Sequence, residues 1–485
     1  MIMKLQNLLS ALFVLVPLTV KGEDSATVPR PIPLTRPEMK RLLEDMKHRK
    51  PRIPLPEPTA EEQEKLALET PGRVGGGYEG RLRSLYLPPG SAFNGGNRFV
   101  GNQAGDPKGE PGKAGTGGQR EQEPAMTLSY AFKVELFWIV SRTNNCQYCM
   151  GHQESKLLGA GLNEDDIASL DSNWAHFSPA EQAAFAYARK FTHEPHKLGD
   201  VDIQDLRKHY SDLQILEMSL SMAGNNAINR WKEGVGVPQS SNGGGFRGTD
   251  PAAKAEAEKK VQTYLTPTSD EFTHVVTKVA PYLFDEKSGK PTTLSLYNRP
   301  KLESREEVEK ALASAAQRKP RLPLVDEDKA HEVYGEDWKD EKLPQWACLL
   351  ANFPREGKSR ALGIKRAEET GDLQPILKAQ VAWIIARQDR AWYAAGLAKK
   401  RLLALGVSEN DVYKLDGSWD GFTPAERAMF TVARKLAASP VILTDADVDE
   451  ALKQTSPRDV VQLINFVTTR AAFDRITEAA GLSLE

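Results

Sequence analysis

An all-α fold of two tandem helical domains is predicted by three observations. The chain repeats itself, its apolar residues recur at three- and four-residue steps, and alternating strand patterns are scarce. Residues 133–142 (KVELFWIVSR) return as 378–387 (KAQVAWIIAR), an offset of 245. The register holds without a gap through Pro238 and Ser483, with 33 identities in 106 positions, which reads as two copies of one domain. Upstream, 49–55 (RKPRIPL) returns as 318–324 (RKPRLPL), now at an offset of 269. The first copy therefore carries 24 extra residues, placed in the Gly-, Pro- and Asn-rich tract 88–123, which cannot bury enough apolar surface to order itself.

Each predicted element has a local reason. Residues 130–141 carry a helical apolar period. Ser178-Pro-Ala-Glu181 combines a capping box with proline at the first helical position, and the helix it opens runs to about Thr192. Asp200 is expected to cap a helix bearing Val201, Ile203 and Leu206. Asp212 is expected to cap a last one through Ile215, Met218, Leu220 and Ala223. Each repeat core is thus read as five or six helices.

The chain divides as follows. Residues 1–22 read as a signal peptide: Lys4, an apolar run from Leu8 to Val20, then Val20 and Gly22 before Glu23. Residues 23–125 form a less regular N-terminal segment holding the Gly/Pro-rich insertion, and 126–238 the first helical domain. Residues 239–250 are a Gly/Ser linker, 251–373 a second N-terminal segment, and 374–485 the second helical domain. No later segment has 18 uninterrupted apolar residues, so the mature protein is expected to be exported, periplasmic or extracellular, with no membrane contact after cleavage. Basic and acidic residues number 64 and 66, which removes the electrostatic footprint of a nucleic-acid binder.

The chemistry is concentrated at Cys146-Gln-Tyr-Cys149, with His152 three residues further on. Asn144-Asn145 is a helix-start signal, so the pair falls in a first turn, where the helix dipole stabilises a thiolate. His152 shares a helical face with Cys149. Glu135 is an acid in an apolar stretch, costly unless partnered. A thiolate, a resolving thiol and an acid/base pair are what peroxide cleavage needs. Met150 follows the second cysteine, which excludes c-type haem attachment. No second cysteine pair supports a four-ligand zinc site, and no cofactor or metal is expected. Three-ligand zinc with His152 and an inert structural disulfide stay open at this point. Cys348, in an apolar segment, reads as a buried free thiol.

The run ELFWIVSRTNNCQYCMGHQESKLLGAGL, followed by SPAEQAAFAYARKFTHEP and EMSLSMAGNNAINRW, resembles the carboxymuconolactone decarboxylase superfamily, in particular its alkylhydroperoxidase (AhpD-like) redox branch. The resemblance covers about 126–238 and, more weakly, 374–484. It implies an all-α fold, homo-oligomers, and a relay in which Glu135 and His152 help deprotonate Cys149. Cys149 then attacks peroxide and Cys146 closes the disulfide. The family's relay histidine stands four residues after the second cysteine. That place is Gln153 here, and His152 lies about 100° away around the helix.

In the second repeat Cys146, Cys149 and His152 become Ala391, Ala394 and Leu397, while Glu135 and Glu217 become Gln380 and Gln462. The apolar frame persists, with Trp138/Trp383 and Trp174/Trp419 read as core. This repeat is expected to be a packing partner that makes an intrachain pseudo-dimer. Arg230 recurs as Arg475 and reads as structural; Asn225 is a weak pocket candidate. The expected activity is thiol-dependent peroxide reduction or disulfide exchange with an unknown thiol electron donor. The alternative is a binding or scaffold protein that keeps a structural disulfide.

Overall fold

The computed structural model describes residues 26–61, 63, 74–89, 91, 123–239, 252, 255, 259, 262–280, 299, 301–339 and 341–484. The signal-peptide stretch, most of the 88–123 insertion and nearly all of the 239–250 linker lie outside the described residues. The fold is all-α. The first half contains α1 (Arg36–Asp45), α2 (Val74–Tyr86), α3 (Tyr130–Asn144), α4 (Gln147–Gly159), α5 (Glu164–Ser169), α6 (Pro179–His193), α7 (Asp200–Arg207) and α8 (Asp212–Val235). The second contains α9 (Asp270–Thr273), α10 (Arg305–Ala316), α11 (Glu327–Tyr334), α12 (Gln345–Leu350), α13 (Glu356–Glu369), α14 (Pro375–Asp389), α15 (Trp392–Ala404), α16 (Glu409–Lys414), α17 (Pro424–Ala437), α18 (Asp445–Gln454) and α19 (Pro457–Ala480).

The starts of α3 to α8 recur 245 residues later as the starts of α14 to α19. The backbone exceptions recur too. Asn145 and Arg390 (φ 57° and 54°) and Trp174 and Trp419 (62° and 65°) are left-handed, and so are the C-terminal glycines Gly236 and Gly481. A side chain is strained in that region, so its repetition at non-glycine positions marks tight turns imposed by packing on both sides. Trp138 and Trp383 are fully buried, as read from the sequence. Cys348 is buried and outside any disulfide.

Three local expectations shift. Ser211, not Asp212, caps α8, accepting from Gln214 N; Asp212 is the first helical residue. Gly199 occupies the cap of α7, so Asp200 is also one residue inside. Val201 faces solvent, because α7 buries only Ile203 and Leu206.

Buried charges anchor the frame. Lys133 pairs with Glu217 at 2.7 Å, and Glu217 also accepts from Thr127 N and Leu128 N. Arg142–Asp171 has its counterpart in Arg387–Asp416, each at 3.0 Å. Residues 262–280 hydrogen-bond to the first half: Tyr264 N to Glu44, Ser269 N to Asp165 and Thr277 N to Leu34 O.

The two halves meet along α8 and α19 in a reciprocal pattern. Arg230 donates to Ala437 O at 2.8 Å, and its equivalent Arg475 donates to Thr192 O at 3.0 Å. Arg52 pairs with Asp445, and Arg321 with Asp200. Both are cross-repeat contacts made by equivalent residues, as in an isologous dimer. At the helix crossing, a Cβ on Gly234 would lie 2.6 Å from Ile464 Cγ2, so the close approach depends on that glycine.

Candidate functional site

Cys146 and Cys149 form a disulfide with their Cα atoms 5.3 Å apart, within the range a disulfide spans. The local chain produces this pairing. Asn145 ends α3 in the left-handed conformation, which asparagine tolerates better than most residues. Cys146 is then the N-cap of α4 and Cys149 its third residue. Cys146 N donates to Ser141 O at 2.9 Å, and Cys146 O accepts from Met150 N. The sulfurs therefore sit over the positive end of a 13-residue helix.

Both cysteines are sealed, at 0% and 1% exposure. A segment preceding α1 covers the turn before them. Asn145 Nδ2 donates to Arg30 O and Pro31 O, Gln147 Nε2 to Pro31 O at 3.0 Å, and Arg142 Nη2 to Pro33 O at 2.6 Å. On the next turn of α4, a Cβ on Gly151 would meet Gln239 and Tyr264, each at 3.0 Å.

The other expected site residues are placed differently. His152 is half-buried and stacks on Tyr148, with ring centroids 6.1 Å apart. Lys232 Nζ lies 4.4 Å from the centre of the same Tyr148 ring and pairs with Glu79. Gln153, at the family's relay position, is buried, and its Oε1 has no hydrogen-bond partner. Glu135 is 8% exposed and makes no hydrogen bond to either cysteine. Burial pushes its carboxyl up to about 7, helped by the negative charges of Glu181 and Asp166.

This gives a testable pH dependence. The folded pKa of Glu135 lies above its unfolded value of 4.5. The folded state therefore binds the proton more tightly, and stability falls as pH rises from the unfolded pKa through about 7. Glu135→Gln is expected to match the wild type at about pH 4 and to exceed it by roughly 3 kcal/mol near pH 8. Urea unfolding at the two pH values measures this; equal stabilities at pH 8 would refute it.

Some residues that shape the site escaped the sequence reading. Glu154 is fully buried on α4, held by Arg36 at 2.5 and 3.0 Å, with Trp138 Nε1 at 3.4 Å. Its only sequence signal is an acid among residues that turn inward. Asn144 Nδ2 donates to Asn226 Oδ1 and Asn229 Oδ1, both at 2.9 Å, and Asn229 Nδ2 donates to Ser141 Oγ. The Asn225 side chain, the pocket candidate, is fully buried on the same helix. Among the described residues no group of three His, Cys, Asp or Glu is arranged to hold a metal ion. Nor is any helix there long and apolar enough to cross a membrane.

No family model matches the chain, and no curated protein matches it.

Proposed function

We propose that the protein is an exported thiol-dependent peroxidase or disulfide oxidoreductase of the AhpD-like kind. The supporting observation is the Cys146–Cys149 disulfide at the N-terminus of α4. In the reduced protein, the Cys149 thiolate attacks the peroxide O–O bond. This gives a Cys149 sulfenic acid and releases the other oxygen as water or alcohol. The Cys146 thiol then attacks the sulfenic sulfur, forming the disulfide and releasing water. A dithiol donor returns two electrons and two protons by exchange through a mixed disulfide. Glu135, with its carboxyl near 7, is suited to take or give a proton at neutral pH.

Burial of both sulfurs favours small oxidants over protein disulfides. It equally favours a second reading, a structural disulfide in a non-catalytic scaffold. One experiment separates the two: equilibrate the pair with glutathione buffers and assay peroxide consumption on the same sample. A pair that reduces reversibly and consumes peroxide supports the enzyme. A pair that resists reduction in the folded protein and consumes none supports the scaffold.

Gln153 and His152 divide the relay question. Gln153→His places an imidazole one helical turn from Cys149, beside it on the same face. It is expected to raise the alkylation rate of the reduced pair about tenfold near neutral pH. His152→Ala should have the smaller effect, because its ring packs on Tyr148. Iodoacetamide kinetics between pH 6 and 9 measure both. A larger loss in His152→Ala than gain in Gln153→His would give the relay to His152.

A further inference from the structure

The second repeat does more than cover an apolar face. Ser439 Oγ donates to Asn144 Oδ1 at 2.6 Å, across the boundary between the halves. The same oxygen accepts from Arg230 Nη2 at 2.9 Å and from Arg475 Nη2 at 3.2 Å. A hydroxyl has one donor and two acceptor sites, so all three are used. Two guanidinium donors polarise the hydroxyl and strengthen the bond it gives. Two residues on, Val441 N donates to Asn144 O at 3.1 Å. With Asn226 and Asn229 accepting from Nδ2, the Asn144 side chain is held at both its oxygen and its nitrogen.

Asn144 is the last residue of α3. Only the left-handed Asn145 separates it from Cys146. Fixing Asn144 therefore fixes the direction in which the chain enters the cysteine turn.

The arrangement is not symmetric, although the surrounding fold is. The residue equivalent to Ser439 in the first half is Glu194, whose carboxylate pairs with Lys197 at 2.5 Å. The equivalents of Ser141, Asn226 and Asn229 are Ala386, Ala471 and Asp474. The equivalent of Asn144, Asp389, is instead paired directly with Arg475. The hydroxyl-centred network is thus built at the copy that carries the cysteines.

We propose that Ser439 of the cysteine-free repeat is a positioning residue for the redox centre, setting the geometry of Cys146 and Cys149 through Asn144. This rests on the redox reading of the pair given above. It also gives the second repeat a part in the site.

The test is the equilibrium of the pair with glutathione in the full chain, together with alkylation rates of the reduced cysteines across pH. Ser439→Ala is expected to shift the thiol–disulfide equilibrium constant at least threefold and to change the alkylation–pH profile. Ser439→Thr, which restores the hydroxyl, should return both toward the wild type. Val448→Ala removes buried volume from α18 of the same repeat without touching Asn144. It should lower stability while leaving the equilibrium constant unchanged. Equal constants in wild type and Ser439→Ala would overturn the proposal, as would an equal shift in Val448→Ala. Peroxide turnover is read separately. If the wild type consumes no peroxide but Ser439→Ala still shifts the equilibrium, the positioning role stands and the peroxidase reading fails.

Discussion

Replacing Cys149 with serine is expected to abolish peroxide consumption, whereas replacing Cys146 should leave one oxidation event and trap its product. The difference follows from the roles that the AhpD-like resemblance implies, Cys149 as the attacking cysteine and Cys146 as the resolving one. Cys149 is the third residue of α4 and Cys146 its cap. Both sulfurs sit at the start of α4, where the unpaired N–H groups of the first turn stabilise a thiolate. In the proposed reaction the Cys149 thiolate attacks peroxide, and serine at the same place does not. In Cys146→Ser the sulfenic acid at Cys149 has no resolving thiol. It should persist as a sulfenic acid or be captured as a mixed disulfide with added thiol. Mass spectrometry after one equivalent of peroxide, with and without a sulfenic-acid probe, reads both variants. The reverse pattern, with Cys149→Ser active and Cys146→Ser inert and untrapped, would exchange the two roles. Activity in both variants would remove the pair from the chemistry altogether.

The largest stability effect is expected at the centre of the interface between the halves. Arg475 is fully buried and pairs with Asp389 in a two-pronged contact at 2.7 and 3.1 Å. It also donates to Thr192 O and Ser439 Oγ, so one guanidinium ties α19 to both halves. Nearby Asp474 is fully buried, and neither of its carboxylate oxygens has a hydrogen-bond partner. Burial holds its carboxyl well above the usual range, and Asp389 adds to the shift. Arg475→Met leaves Asp389 buried without its cation beside a second acid. Breaking such a pair from one side costs about 3–5 kcal/mol. Asp389→Asn on that background should recover a large part of the loss, because it removes the unpaired buried charge that Arg475→Met leaves behind. A double-mutant cycle by urea unfolding measures the coupling. Additive losses would mean that the Arg475–Asp389 contact contributes little beyond its separate partners.

Much of this was legible because it is local. The capping box at Ser178–Glu181 and its copy at Thr423–Glu426 are three-residue contacts, and both form. The cysteine pair brackets a helix start, Cys146 as cap and Cys149 in the first turn, because a left-handed asparagine and an i, i+3 spacing are encoded within five residues. The 245-residue offset carried the helix starts of one half onto the other, since the same apolar spacing buries the same faces.

What the sequence did not disclose depends on chain segments that meet only after folding. Glu135, an acid on an apolar helix, reads as a relay candidate, yet its charge state is set chiefly by burial against neighbouring helices, with the charges of Glu181 and Asp166 adding to the shift. Ser439 is one serine among many until the fold brings it to Asn144, 295 residues away. The segment over the cysteine turn is held by the carbonyls of Arg30, Pro31 and Pro33, which no side-chain pattern announces. By itself the sequence determined the helices of the two repeat cores, the internal duplication and the cysteine turn, because periodicity and capping act over a few residues; the helices of the preceding segments, such as α10 and α13, it left as less regular chain. The tertiary structure alone decided which polar groups surround that turn, because burial and electrostatic fields are summed over neighbours that the chain order does not place together.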